Sequence, residues 1–149
     1  MTLSASRWHV IAESHFAWER EALEWLRAHL PDRDPWHAWT NFEFIDDEGK
    51  VNEVDALVLS PAGLFLVEIK SRPGVLRGDV HSWTWTTDGR TFTYDNPLIL
   101  ANRKSKRLAS LLRHQPAIKK AKIRLPFVEP AIFLSSSSLA CQLEGLAKS

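Results

Sequence analysis

Two short apolar runs, Val51–Leu59 and Leu64–Lys70, flank the turn sequence Ser60-Pro61-Ala62-Gly63. Runs of Val, Leu, Ile and Phe bounded by Pro and Gly form strands, and so close a spacing makes the two a hairpin. This hairpin carries charge inside apolar sequence: Glu53 and Asp55 in its first strand, Glu68 and Lys70 at the end of its second. Side chains alternate along a strand, so Glu53, Asp55, Leu57 and Leu59 are predicted to share one face. Leu64, Leu66, Glu68 and Lys70 share one face of the partner. Pairing Leu59 with Leu64 sets Asp55 opposite Glu68 and Glu53 opposite Lys70. A slip of two residues sets Asp55 opposite Lys70 instead and still leaves all four groups on one face.

Cross-strand carboxylates stand about 4.5–5.5 Å apart at Cβ and repel one another. A divalent cation relieves that repulsion, and Mg²⁺ or Mn²⁺ suits oxygen ligands supplied by one or two carboxylates together with waters and substrate phosphate. Asp55 and Glu68 are therefore the candidate metal ligands, with Glu53 beside them. Lys70 is placed to orient or help deprotonate an attacking water, or to offset charge building on phosphorus. An ion-pair ladder on a polar sheet face would use the same residue types, but ionised groups within such apolar strands need a metal or a partner. A predicted helix over Ser14–Leu30 has the stripe Phe16, Leu23, Leu26 and Leu30, and Glu19 falls on it. Glu19 either joins the carboxylate cluster or forms a salt bridge with an Arg of another element.

The remaining pattern gives the setting. A strand over Trp36–Phe44 precedes the hairpin, and shorter strands over Gly74–Val80, Ser82–Thr87 and Thr91–Tyr94 follow it. Asn96-Pro97 then caps and starts a helix running to about Gln115 before Pro116. A last strand spans Phe127–Leu134, and Leu139–Ser149 is at most a short helix. This order predicts an α/β domain with a mixed central β-sheet flanked by helices. With 149 residues, 44% apolar and 25% charged, the chain fits one domain, its core over about 13–134 and a tail over 135–149 that leads into a longer protein. No apolar run is long enough to span a bilayer and the N-terminus has no signal-peptide core, so no membrane association and a cytoplasmic location are expected. The single Cys141 and six His, without ligand spacing, argue against a zinc site.

These residues resemble a known family. Asp55 with Glu68-Ile69-Lys70 resembles the D-x(n)-E-x-K signature of the PD-(D/E)XK nuclease superfamily. The wider pattern is similar to the nuclease-related domain, NERD: an early helix glutamate, Glu53-Val54-Asp55, Gly63 to Lys70, the Gly74/Gly78 segment, Trp83 or Trp85, Asp88-Gly89, and Asn96-Pro97-Leu98 leading into a basic helix. The resemblance implies a restriction-endonuclease-like fold and a Mg²⁺- or Mn²⁺-dependent phosphodiesterase site. Its catalytic residues would be Glu19, Asp55, Glu68 and Lys70, and its metal ligands Asp55 and Glu68, with Glu53 as an outer ligand. It also implies a setting, because the chain is similar to the front of very large Ser/Thr kinases of phage-growth-limitation and BREX-type defence systems. C-terminal kinase domains and other defence-system partners are expected from that likeness. One departure is Leu100-Ala101 where the family often has Gln-Ala, which removes any substrate contact made by that glutamine.

Charge adds a partner. Residues 1–100 carry nine Lys or Arg against sixteen Asp or Glu, whereas residues 101–124 carry nine Lys or Arg and no acid. In the second long helix Leu98, Ala101, Ser105, Leu108 and Leu112 form the buried stripe. Arg103, Lys104, Lys106, Arg107 and Arg113 are the candidate nucleic-acid contacts, followed by Lys119, Lys120, Lys122 and Arg124. Unopposed cations suit backbone phosphates; DNA is the favoured partner, with RNA as the alternative. A solvated helix face has the same composition. The seven Trp are expected mostly in the core, although some would suit base stacking. The resulting expectation is an endonuclease acting on DNA; the competing one is a DNA-binding or protein-docking module that does not cleave and regulates an attached enzyme.

Overall fold

The tight turn at Pro61-Ala62 fixes the register of the central hairpin in the computed structural model, which describes residues 2–122 and 124–143. Ser60 Oγ donates to the Gly63 carbonyl and accepts the Ala62 N–H, at 3.2 and 3.1 Å. Leu59 consequently faces Leu64, as the sequence predicts, and the antiparallel ladder runs inward to Ala56 and Val67. There it ends, short of Asp55 and Glu68.

In chain order the elements are β1 (Trp8–Val10), α1 (Ala17–His29), β2 (His37–Ile45), β3 (Val51–Ser60), β4 (Gly63–Lys70), β5 (Gly74–Gly78), β6 (Ser82–Thr87), β7 (Arg90–Asp95), α2 (Pro97–Arg113), α3 (Pro116–Ala121), β8 (Val128–Leu134) and β9 (Leu139–Leu143). The main sheet has the order β1-β2-β3-β4-β8. It is mixed: β2, β3 and β4 are antiparallel neighbours, whereas β1 joins β2 and β8 joins β4 in parallel. Helix α1 covers one face through Ala22 and Leu23, which pack with Ala56, Val58, Val67 and Ile69. Helix α2 covers the other, with Ala101 and Leu108 against Leu57, Leu64, Leu66 and Val128. Leu66 is fully buried, and truncating it to Ala removes about 2–5 kcal/mol. A mixed sheet between two helical layers is the predicted architecture.

Beside it stands a second, smaller sheet ordered β7-β6-β5-β9, with its own core of Leu76, Trp83, Trp85 and Leu143. Gly74, with φ +111°, is needed where β5 passes the Thr86 backbone, because a Cβ there would collide with the Thr86 carbonyl. The tail segment Leu139–Leu143, expected as a short helix at most, is a strand parallel to β5; residues 144–149 of that expectation lie outside the described residues. The two sheets are joined by side-by-side connections, bridged from Ser135 N–H to the Lys70 carbonyl at 3.0 Å and from Gly74 N–H to the Ser138 carbonyl at 3.3 Å.

Two local features aim the site. Asn96 caps α2 as predicted, its Oδ1 accepting the Leu98 N–H at 3.0 Å while its Nδ2 donates to the Asp79 carbonyl at 3.0 Å. The start of α2 is thereby pinned to the small sheet. The second is a break in strand alternation. In β2, Ala38 packs in the α1 cluster, yet Phe42 and Phe44 both pack in the α2 cluster with Trp39. In β3, Ala56 and Val58 face α1, while Val54 joins Leu57 on the α2 side. Both strands thus reset at one level, where Asn41 has φ +52° and lies between the pairs Thr40/Ala56 and Phe42/Val54. The predicted sharing of one face by Glu53, Asp55, Leu57 and Leu59 therefore stops at Asp55.

Candidate functional site

Asp55 occupies the point where β3 and β4 part. In place of a backbone partner on β3, the Ile69 N–H of β4 donates to Asp55 Oδ2 at 2.8 Å. The side chain thus substitutes for main chain and keeps the gap from leaving a bare amide. Burial pushes the Asp55 carboxyl up from 3.8 to about 6; the Ile69 N–H opposes this, and the charges of Glu68 and then Glu19 reinforce it, with Lys104 opposing. Glu19 of α1 and Glu68 of β4 are thus near enough to Asp55 for their charges to act on it, whereas the expected backbone pairs Asp55/Glu68 and Glu53/Lys70 are absent from the ladder.

Glu19 sits in the first turn of α1 and is 8% exposed. Among the described residues it has no ion-pair partner, so the alternative of an Arg salt bridge is not what this helix uses. Phe16 behaves differently from its predicted place on the stripe: it precedes the helix, is 57% exposed and stacks on Trp18. Glu53 is exposed, faces Glu43 of β2 across the ladder, and lines a cleft of about 480 Å³ together with Glu19, Asp55 and Asn41. Lys70 ends β4 and lines a different cleft, on the side of the small sheet.

Glu68 has a partner that sequence reasoning did not assign to it. Lys104 reaches from α2 to Glu68 Oε1 at 2.8 Å and donates to the Glu53 carbonyl at 2.9 Å. The side chains of Lys104 and Glu68 are only 13% and 14% exposed. Lys104, expected with the outward cations, is thus an inward-facing member of the acidic cluster. The available signal was its position three residues after Ala101 and one before Ser105, at the edge of the buried stripe. Arg107 also turns toward protein: it donates to Asn52 Oδ1 at 3.2 Å and lies 3.6 Å from Asp46 Oδ2. Arg103, Lys106 and Arg113 are exposed as expected.

The donor set suits a hard divalent cation. Asp55, Glu68, Glu19 and Glu53 offer only carboxylate oxygens, the ligand type such a cation prefers; Asp55 is raised chiefly by burial, and the smaller effect of the neighbouring Glu68 and Glu19 charges is one a cation would relieve. Among the described residues, however, no three acidic, His or Cys side chains already stand at metal-holding positions. In this structure the partner of Glu68 is Lys104.

A mixed sheet between helices, with an aspartate where two strands part and Glu-Ile-Lys ending the second, defines a restriction-endonuclease-like α/β domain. The chain belongs to the nuclease-related domain family, NERD, which matches residues 14–135. It is 44% identical over 138 residues to the "Probable kinase PglW" of Streptomyces coelicolor, a match covering 92% of this chain and 8% of that protein. The chain thus corresponds to a small part of that relative's length. No solved structure matches the chain significantly. No described helix is long and apolar enough to cross a membrane.

Proposed function

We propose that this domain hydrolyses phosphodiester bonds of DNA with Mg²⁺ or Mn²⁺, in the cytoplasm and as part of a longer phage-defence kinase. The observation that carries the reading is Asp55: a mostly buried carboxylate at a strand junction, held by the Ile69 N–H and crowded by Glu68 and Glu19. Stability alone gives no reason to place three acids there. Asp55 and Glu68 would hold the ion, with Glu19 and Glu53 reaching it through water. A bound cation would supply a Lewis acid for the phosphate and lower the pKa of the attacking water. Lys70, two residues after Glu68, offsets charge developing on the attacked phosphate, and the exposed Arg103, Lys106 and Arg113 hold the backbone. The match to a small part of a probable kinase supports an attached kinase domain.

A non-cleaving DNA-binding or docking module also has an observation in its favour, since Glu68 is already ion-paired with Lys104. Two measurements separate the readings. Calorimetry with Mn²⁺ should show binding by wild type that is lost in Asp55→Asn. Nicking of supercoiled DNA should require Mn²⁺ and fall at least ~10²-fold in Lys70→Ala. Binding without nicking supports the silent module; equal Mn²⁺ binding by wild type and Asp55→Asn removes the site assignment.

A further inference from the structure

The cleft that Lys70 lines lies between the start of α1 and the small sheet, and it has about 320 Å³. Its walls interleave cations and rings: Lys70 and Arg72 leave the end of β4 into it, and Trp18, Trp85 and Tyr94 complete it, with Asp95 as its acid. Arg72 is held in place by the small sheet. Its guanidinium lies 5.2 Å from the ring centroids of both Phe92 and Tyr94 and 5.8 Å from that of Trp85. It also donates to the Tyr94 hydroxyl at 2.9 Å. Among the described residues neither Lys70 nor Arg72 has an ion-pair partner. Trp18 and Tyr94 meanwhile keep 40% and 46% of their surface in water.

Scattered exposed aromatics need no explanation. Two cations without an ion-pair partner among the described residues, against one acid, and two half-exposed rings lining a single cleft have a chemistry in common: rings stack on bases, and ammonium and guanidinium groups bind phosphate. Bases inside a duplex are already stacked and cannot present a face to a ring. We infer that this cleft is a subsite for an unpaired nucleotide of a nucleic-acid strand, with its base against Trp18 and Tyr94 and its phosphate on Lys70 and Arg72. The inference rests on the proposed nucleic-acid function and names its substrate class: single-stranded or locally opened nucleic acid.

The test is fluorescence anisotropy in EDTA, comparing a labelled single-stranded oligonucleotide with the duplex of the same sequence. Wild type should prefer the single strand. Trp18→Ala should weaken single-strand binding by at least ~5-fold, the lower end for one lost base stack, with duplex affinity unchanged and Trp18→Phe restoring most of the loss. Arg72→Gln should also weaken single-strand binding. Trp18 is exposed, so its variants should keep the wild-type melting temperature. Wild-type single-strand affinity in Trp18→Ala and Arg72→Gln, or equal affinity of wild type for both forms, overturns the subsite. Cleavage and strand preference report separately: no Mn²⁺-dependent cleavage with the preference intact removes only the hydrolytic reading, and cleavage without the preference removes only the subsite.

Discussion

The ammonium of Lys104 stands 2.8 Å from Glu68 Oε1, so an α2 cation neutralises a β4 acid inside the carboxylate cluster. Both side chains are mostly buried, and removing one partner of such a pair strands the other. Lys104→Met should therefore lose stability in EDTA, by about 1–3 kcal/mol, below the fully buried range because some solvent reaches the pair. Adding Mn²⁺ should recover much of it, because the freed Glu68 gains another cationic partner. Urea unfolding with and without Mn²⁺ measures both; a loss that Mn²⁺ leaves untouched would mean that Glu68 is not a ligand.

Asp55 predicts a pH dependence of the opposite sign to most carboxylates. Its folded value, about 6, lies above the ordinary 3.8, chiefly through burial. The stability tied to its protonated form is thus complete below 3.8 and is lost as pH rises through about 6. In chelator, Asp55→Asn should escape that loss and become more stable than wild type above about pH 6, by at most about 3 kcal/mol. Denaturation curves across this range check it, and a constant difference at every pH would refute the burial argument.

Asp46 shows the usual direction. Hydrogen bonds from the Asn52 side chain and then the Lys50 N–H hold its carboxyl below 3.8, with the Glu48 N–H and Arg107 adding. It ties the turn between β2 and β3 together, and the folded form keeps this contribution above 3.8 and loses it as pH falls below that. Asp46→Asn should melt lower than wild type at neutral pH, with the gap closing in acid. A gap that persists in acid would point to shape, not charge.

The basic face of α2 is narrower than its composition suggests. Arg103 and Lys106 are exposed, whereas Arg107 holds Asn52. Replacing Arg103 and Lys106 with Ala should leave the melting temperature unchanged and flatten log K against log salt by up to about 1.8 for duplex DNA. Arg107→Ala should also lower the melting temperature. An unchanged slope in the double variant would move phosphate contact to another surface.

Local rules carry far in this chain, and they fail at definite places. The hairpin register follows from the short turn at Pro61-Ala62 and two leucines, and the start of α2 from Asn96-Pro97, because each is decided by neighbours in sequence. The reset of faces at Asn41 and Asp55 leaves no such trace. Alternation presumes regular dihedrals, and the left-handed Asn41 breaks them at one residue. Lys104 escapes for another reason: its long stem lies at the border of the buried stripe, and only the tertiary position of Glu68 turns it inward. Strand β9 is five residues of mixed polarity whose conformation is set by the adjacent edge of β5.

That pairing has a mechanical side. Strands β4 and β8 run parallel, their continuations β5 and β9 run parallel in turn, and hydrogen bonds rung the passage between the sheets. The chain therefore leaves the site as a two-ply ribbon rather than a single thread. Lys70 and Arg72 lie on one ply, and the residues leading to Leu143 lie on the other. The two rungs therefore hold the segment that carries Lys70 and Arg72 in fixed register with the segment between β8 and β9.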